Sequence, residues 1–157
     1  QGQTPKTARV FEVARSYRFK KGSGMPISIP VIDMVEIGAG GGSLAQVDNL
    51  RQIRVGPESA GSEPGPACYG RGGTRPAVTD ADLIMGKLDS DNFAGGTIQL
   101  EPQKSADALI AHIGDVLNMD AGEAAWGLAE VVDENIANAA RVHAIENGED
   151  LSEYVMI

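Results

Sequence analysis

Residues 30–48 read PVIDMVEIGAGGGSLAQVD, and the order of patterns within them decides the fold class. Ile27 to Ile37 is an extended stretch. Pro30 puts its start at a sheet edge, because proline has no N–H to give a ladder. Gly38, Ala39, Gly40, Gly41 and Gly42 come next, closed by Ser43. Ser43–Asp48 and Gln52–Val55 then read as a short hairpin around Asn49. Read as GxGxxG, the third glycine is replaced by Ser43, and the residues after it are extended rather than helical. A dinucleotide-binding fold therefore does not match. The chain also lacks the P-loop pattern, in which a glycine, four residues, then Gly-Lys and Ser or Thr come after a strand.

Working outward, the first six residues carry no pattern. Phe11, Val13, Arg15, Tyr17 and Phe19 alternate with Glu12, Ala14, Ser16, Arg18 and Lys20. That period of two predicts a strand with one covered face. Lys21 to Pro26 is a turn. On the other side, residues 56–76 (GPESAGSEPGPACYGRGGTRP) show no apolar period. A loop of that length inside a compact domain is usually functional or disordered. Thr79 is expected to open a short helix through Lys87, with Asp80 and Asp82 in its first turn, where acids suit the helix dipole. Ser105 is expected to cap the next helix. Ala106, Leu109, Ile110, Ile113, Val116 and Leu117 share one face at helical spacing.

Asp120 and Glu123 make a capping-box pair for a long helix that Gly148 ends. At 1.5 Å per residue it runs ~40 Å. Such length seldom belongs to a self-contained domain of this size. Four strand-forming residues, Tyr154 to Ile157, close the chain, so the sequence is expected to be a piece of a larger protein. The fold class is mixed α/β. Residues 7–100 supply strands and glycine-rich loops, and 103–148 supply the helices.

Composition narrows the functions. The 157 residues carry 13 Lys plus Arg against 22 Asp plus Glu, a net charge of −9. That balance excludes a binder of nucleic-acid backbone, which needs a basic stripe. It also excludes a polybasic membrane anchor. Apolar residues make up 42%, enough for a core. No apolar run approaches the ~20 residues of a membrane span. The lone cysteine, Cys68, excludes an internal disulfide framework and a cysteine-built zinc site, and points to a cytoplasmic setting. Glycine is abundant at 20 residues, clustered at 38–42, 56–73 and 95–96.

Successive glycines let backbone N–H groups point one way and approach a ligand closely, as in sites for phosphate. A tight turn would need only one glycine. Gly38, Gly40, Gly41, Gly42 and Ser43 are therefore candidate anion contacts, with the Ser43 hydroxyl as a further donor. Glu36 adjoins the loop and is placed to orient a nucleophile or a metal-bound water; its alternative is a solvated strand residue. Asp80 is the second catalytic candidate, placed to meet a ligand, with capping and dipole pairing as its alternative. Cys68 has only His112 and His143 as potential bases, both in the helical half, so packing explains it better than nucleophilic catalysis. On the long helix, Asn135 falls within the apolar stripe of Ala124, Leu128, Val131, Val132, Ile136, Ala139 and Val142. Asn138 and Arg141 continue from it, so this edge faces a polar cleft or a partner segment, with a solvated flank as the alternative.

Three strings are more specific than any one site. PVIDMVEIGAGGGSLAQVD, VGPESAGSEPGPACYGRGG and AVTDADLIMGKLD occur in that order over 30–89. Together they strongly resemble the hydantoinase A / 5-oxoprolinase family. ENIANAARVHAIENG (134–148) is similar to a later helix of that family. The resemblance implies part of a lobe of an actin-like ATPase, with ATP and Mg²⁺ as cofactors of the whole protein. It implies opening of a small cyclic amide, hydantoin or 5-oxoproline, beside a B-type partner subunit or domain in an oligomer. ATP-dependent ketone carboxylase subunits share these motifs, and a non-catalytic assembly module is a third reading. Carried over by motif, Ser59, Glu63, Tyr69, Arg71 and Thr79 join Asp80 around the cleft, with Asn135 and Arg141 from the helix. The family's N-terminal phosphate motifs and its adenosine segment are not in this sequence. The 157 residues alone are thus expected to neither hydrolyse ATP nor open a ring.

Overall fold

The computed structural model describes residues 7–8, 11–14, 16, 22–32 and 37–154. The chain divides into two units, 1–36 and 37–157. In the first, β1 (Thr7–Ala8) pairs antiparallel with β4 (Val31–Ile32), and β2 (Phe11–Val13) with β3 (Met25–Ile27). Of the strand expected through Phe19, residues 15 and 17–19 lie outside the described residues; β2 covers Phe11–Val13, and Ala14 after it takes a φ of +53°. The extended stretch expected from Ile27 is split between β3 and β4 by a bend, with the Ile29 N–H bonded back to the Ile27 carbonyl. Residues 33–36, Glu36 among them, lie outside the described residues.

The second unit starts with the expected hairpin. β5 (Ser43–Val47) and β6 (Ile53–Ser59) pair antiparallel, with Val47 opposite Ile53 and Ala45 opposite Val55. Asp48 closes the turn: its carboxylate accepts the Leu50 and Gln52 N–H groups at 2.9 Å. The register slips between Ala45 and Ser43, which faces Ser59. β6 thus runs further than its predicted end, into the segment read as patternless. That segment also holds a 3₁₀ turn at Ala67–Tyr69. Beyond it, Ala77 bridges Leu44, and the Ala45 N–H donates to the Pro76 carbonyl, covering β5's other edge.

Helix α1 (Val78–Ile84) includes Thr79 and Asp80 in its first turn. Helix α2 (Pro102–Leu109) begins before the predicted cap. Proline is pre-organised for a first helical turn. Ser105 therefore sits inside the helix, fully buried, its hydroxyl bonded to Asp80. A π-turn at Ile110–Gly114 leads into α3 (Asp115–Leu117). Its wider turn rotates the register, so the predicted face is not kept: Leu109 and Ile113 are buried, whereas Ile110 and Val116 are exposed.

Helix α4 (Ala121–Asn147) has the predicted ends. Asp120 and Glu123 exchange backbone bonds at 2.8 and 3.0 Å, and Gly148 takes the left-handed conformation at φ +69°. Its Ala124, Ala125, Leu128 and Val132 join Ala45, Val78, Ala81, Leu109 and Ile113 in the main core. Ile136 packs against this core, and Ala144 is buried near the helix end. Asn135 is exposed rather than buried, and Val142 and Ile145 are exposed as well. A second cluster, Cys68, Leu83 and Leu100 with Tyr69 and Phe93 against it, sits under the long loop. Among the described residues no helix is long and apolar enough to cross a membrane.

Candidate functional site

The glycine loop is held by its carbonyls. The Gly40 carbonyl accepts the Ser43 N–H at 2.9 Å, Gly41 accepts the Thr79 N–H at 2.9 Å, and Gly42 accepts the Ala60 N–H at 2.8 Å. The Thr79 hydroxyl gives Gly41 a second bond, at 2.9 Å. In a trans peptide the carbonyl and the next N–H point oppositely. Carbonyls 40 and 41 are committed to the protein, so the N–H groups of Gly41 and Gly42 turn the other way. Among the described residues neither N–H has an acceptor. This is the arrangement an anion contact requires.

Ser43 differs from expectation in detail. It is buried, and its oxygen accepts the Gly40 N–H at 3.0 Å, so the hydroxyl first braces the loop. The glycines are needed for close approach. A Cβ on Gly41 would lie 2.9 Å from the Thr79 hydroxyl oxygen, and one on Gly42 would lie 3.0 Å from that of Ser59. The structure thus brings Gly41, Gly42, Ser43, Ser59 and Thr79 together, from distant segments of the chain.

Other predicted residues stand in different surroundings. The Ser59 oxygen also accepts the Gly61 N–H at 3.1 Å. The Tyr69 ring packs on Phe93, with centroids 5.9 Å apart, and burial raises its phenol pKa. The Arg71 guanidinium lies 5.8 Å from the Tyr69 ring centre. Glu63 is exposed on the same long loop. Asn135 lines a shallow groove with Gln52, Ile53 and Arg54. Arg141 is engaged by Glu134 and Asn138 at 2.7 and 2.8 Å. No hydrogen bond or ion pair among the described residues joins Asn135 or Arg141 to the glycine loop.

Asp80 is fully buried, with its carboxylate turned inward onto Ala67, Cys68, Ala77 and Ser105. Mg²⁺ takes oxygen ligands such as carboxylates. Those of Asp80 are already occupied, so the described loop fits a phosphate better than it fits a metal ion. Burial, then the charge of Asp80, pushes the Cys68 thiol up to about 12, which keeps it protonated and unreactive. Sequence reasoning missed Ser105 as the partner of Asp80, and the Arg75–Glu58 ion pair at 2.9 Å. Neither pairing carries a local spacing signal.

Residues 4–157 match the family model described as Hydantoinase/oxoprolinase. The chain belongs to this family. It is 40% identical over 131 residues to caprolactamase subunit alpha of Pseudomonas jessenii, covering 83% of this chain and 19% of that protein. The gamma subunit of acetophenone carboxylase from Aromatoleum aromaticum is 37% identical over 131 residues, covering 83% of this chain and 18% of that one. The nucleotide-free structure of acetone carboxylase matches with a TM-score of 0.74 at 30% identity, over 87% of this chain and 19% of that chain. The mixed α/β architecture is the one these hydantoinase-type, actin-like ATPase folds share. The chain spans about a fifth of the length of these relatives.

Proposed function

We propose that this chain supplies a phosphate-facing loop to an ATP-dependent enzyme that opens a small cyclic amide such as hydantoin or 5-oxoproline. The observation that carries the reading is the pair of uncommitted N–H groups at Gly41 and Gly42, set by carbonyls bonded to Ser43 and Thr79. ATP, when bound, supplies a phosphoryl group that makes a carbonyl oxygen a good leaving group, and Mg²⁺ offsets its charge. Toward it, Gly41 and Gly42 donate backbone hydrogen bonds, and Gly38 and Gly40 let the main chain come close. Ser43 braces the turn, and Ser59 and Thr79 form its wall. Glu63, Tyr69 and Arg71 remain candidates of the long loop for contact with the wider cleft of the whole enzyme, with Arg71 the cation among them. Glu36 is kept as the candidate for orienting a nucleophile. Asn135 and Arg141 belong to a separate surface, where a partner subunit of the B type would dock. An oligomer in the cytoplasm is the setting this reading carries.

A second reading is ATP-dependent ketone carboxylation, favoured by the TM-score of 0.74 to acetone carboxylase. ATP turnover by the full-length gene product separates the two. Stimulation by hydantoin, 5-oxoproline or a lactam supports ring opening, and stimulation by ketone plus bicarbonate supports carboxylation. Calorimetric titration with ATP–Mg²⁺, wild type against Gly41→Val, tests the loop itself. Equal binding by both proteins would favour an assembly module.

A further inference from the structure

We propose that Asp80 is a positioning residue, which aims the Gly42 N–H outward by acting through Thr79 on the Gly41–Gly42 peptide. The inference rests on the reading of the 38–43 loop as phosphate-facing, and it changes the role expected of Asp80 from catalytic contact to support. Its carboxylate has no exposed surface. Oδ2 accepts the Ala77 N–H at 2.8 Å and the Ala67 N–H at 3.1 Å. Oδ1 accepts the Ser105 hydroxyl at 2.7 Å and the Cys68 N–H at 2.8 Å. A carboxylate offers roughly four acceptor sites, and four donors fill them. A buried carboxylate without such partners would be strongly disfavoured. A proton-transfer role would first have to break these bonds.

The four donors come from three places: the 3₁₀ turn at 67–68, the residue before α1, and the middle of α2. Asp80 therefore fixes the first turn of α1 against the long loop and α2. The residue beside it, Thr79, is buried and spends both its N–H and its hydroxyl on the Gly41 carbonyl. That carbonyl shares a planar trans peptide with the Gly42 N–H, so the direction of one sets the direction of the other. The linkage runs from Asp80 through the backbone of Thr79 to one peptide plane of the loop.

The experiment uses the full-length gene product carrying Asp80→Asn, Thr79→Val, Thr79→Ser, Ser105→Ala, and Asp80→Asn with Thr79→Val. Amide hydrogen exchange is followed by mass spectrometry over 38–46 and 66–80, and ATP–Mg²⁺ affinity by calorimetry. Asp80→Asn sets an amide NH₂ against backbone donors. It is expected to speed exchange over 38–46 as well as 66–80, and to weaken ATP–Mg²⁺ by about tenfold, the scale of one charge-assisted hydrogen bond. Thr79→Val does the same over 38–46. Thr79→Ser keeps the hydroxyl and restores wild-type behaviour. The double variant binds no more weakly than the worse single one. Faster exchange confined to 66–80, or losses of affinity that multiply in the double variant, would overturn the proposal. Should Asp80→Asn fail to fold, Ser105→Ala decides by the same exchange readout, because it removes one donor and leaves the carboxylate. Faster exchange over 38–46 supports the proposal, and unchanged exchange there refutes it. A wild type that binds no ATP–Mg²⁺ would defeat the nucleotide reading, while the exchange measurement still decides the positioning role.

Discussion

Gly41→Ala adds one methyl group where the loop meets α1. The new Cβ would lie 2.9 Å from the Thr79 hydroxyl oxygen, closer than van der Waals contact permits. Gly41 is outside the left-handed region, so the backbone itself tolerates alanine. Alanine even gains about 0.4–1 kcal/mol by restricting the unfolded chain. The threonine hydroxyl must swing away, forfeiting its bond to the Gly41 carbonyl, about 0.5–1.5 kcal/mol. Because Thr79 is buried, the displaced hydroxyl also loses its partner, about 1–3 kcal/mol more. The net expectation is a loss of about 0.5–4 kcal/mol for Gly41→Ala. Thr79→Ala removes the same hydroxyl and should cost a similar amount. In the Thr79→Ala background nothing remains to clash, so Gly41→Ala there should be neutral or slightly stabilising. Urea unfolding of the four proteins measures this cycle, with a coupling of at least about 1 kcal/mol expected. Equal costs of Gly41→Ala in both backgrounds would refute the packing of the loop on Thr79.

Asp120→Ala deletes the N-cap of α4 and should cost about 1 kcal/mol in urea unfolding, with Glu123→Ala adding little to it because the two form one box. The Cys68 thiol, raised to about 12 by burial and then by the charge of Asp80, should resist iodoacetamide at about pH 8 until the protein is unfolded. Its stabilising contribution is present below the ordinary thiol pKa and lost as pH rises toward 12, so unfolding free energy should fall through that window. The Gln52 N–H, then the Arg54 guanidinium, hold the Asp48 carboxyl below its ordinary value. That contribution is present above the ordinary carboxylate pKa and lost as pH falls through the lower folded one. Asp48→Asn should therefore flatten the acid limb of the stability profile below about pH 4.

Local signals in the sequence were readable. The hairpin at 43–55, the capping box of Asp120 with Glu123 and the glycine cap at 148 all depend on residues close together in the chain, and the structure has each. The misreadings arise where distant residues decide. Ser105 has the side chain of a cap, but Pro102 starts the helix and Asp80, 25 residues away, takes the hydroxyl. The face expected from Ala106 to Leu117 assumes an unbroken helical period, and the π-turn at Ile110–Gly114 breaks it. Asn135 lies on the stripe of α4 by spacing, yet it is exposed, while its neighbour Ile136 packs against the core. The candidate loop was legible as a run of glycines. Its walls were not: Thr79 and Ser59 reach Gly41 and Gly42 only through the fold.

The outward N–H groups of Gly41 and Gly42 are proposed to meet the phosphates of a nucleotide. A crystal structure of the full-length gene product with Mg²⁺ and a non-hydrolysable ATP analogue measures it most directly. Phosphate oxygens are expected about 3 Å from the nitrogens of Gly41 and Gly42. A nucleotide bound with its phosphates beyond hydrogen-bonding reach of both would contradict it.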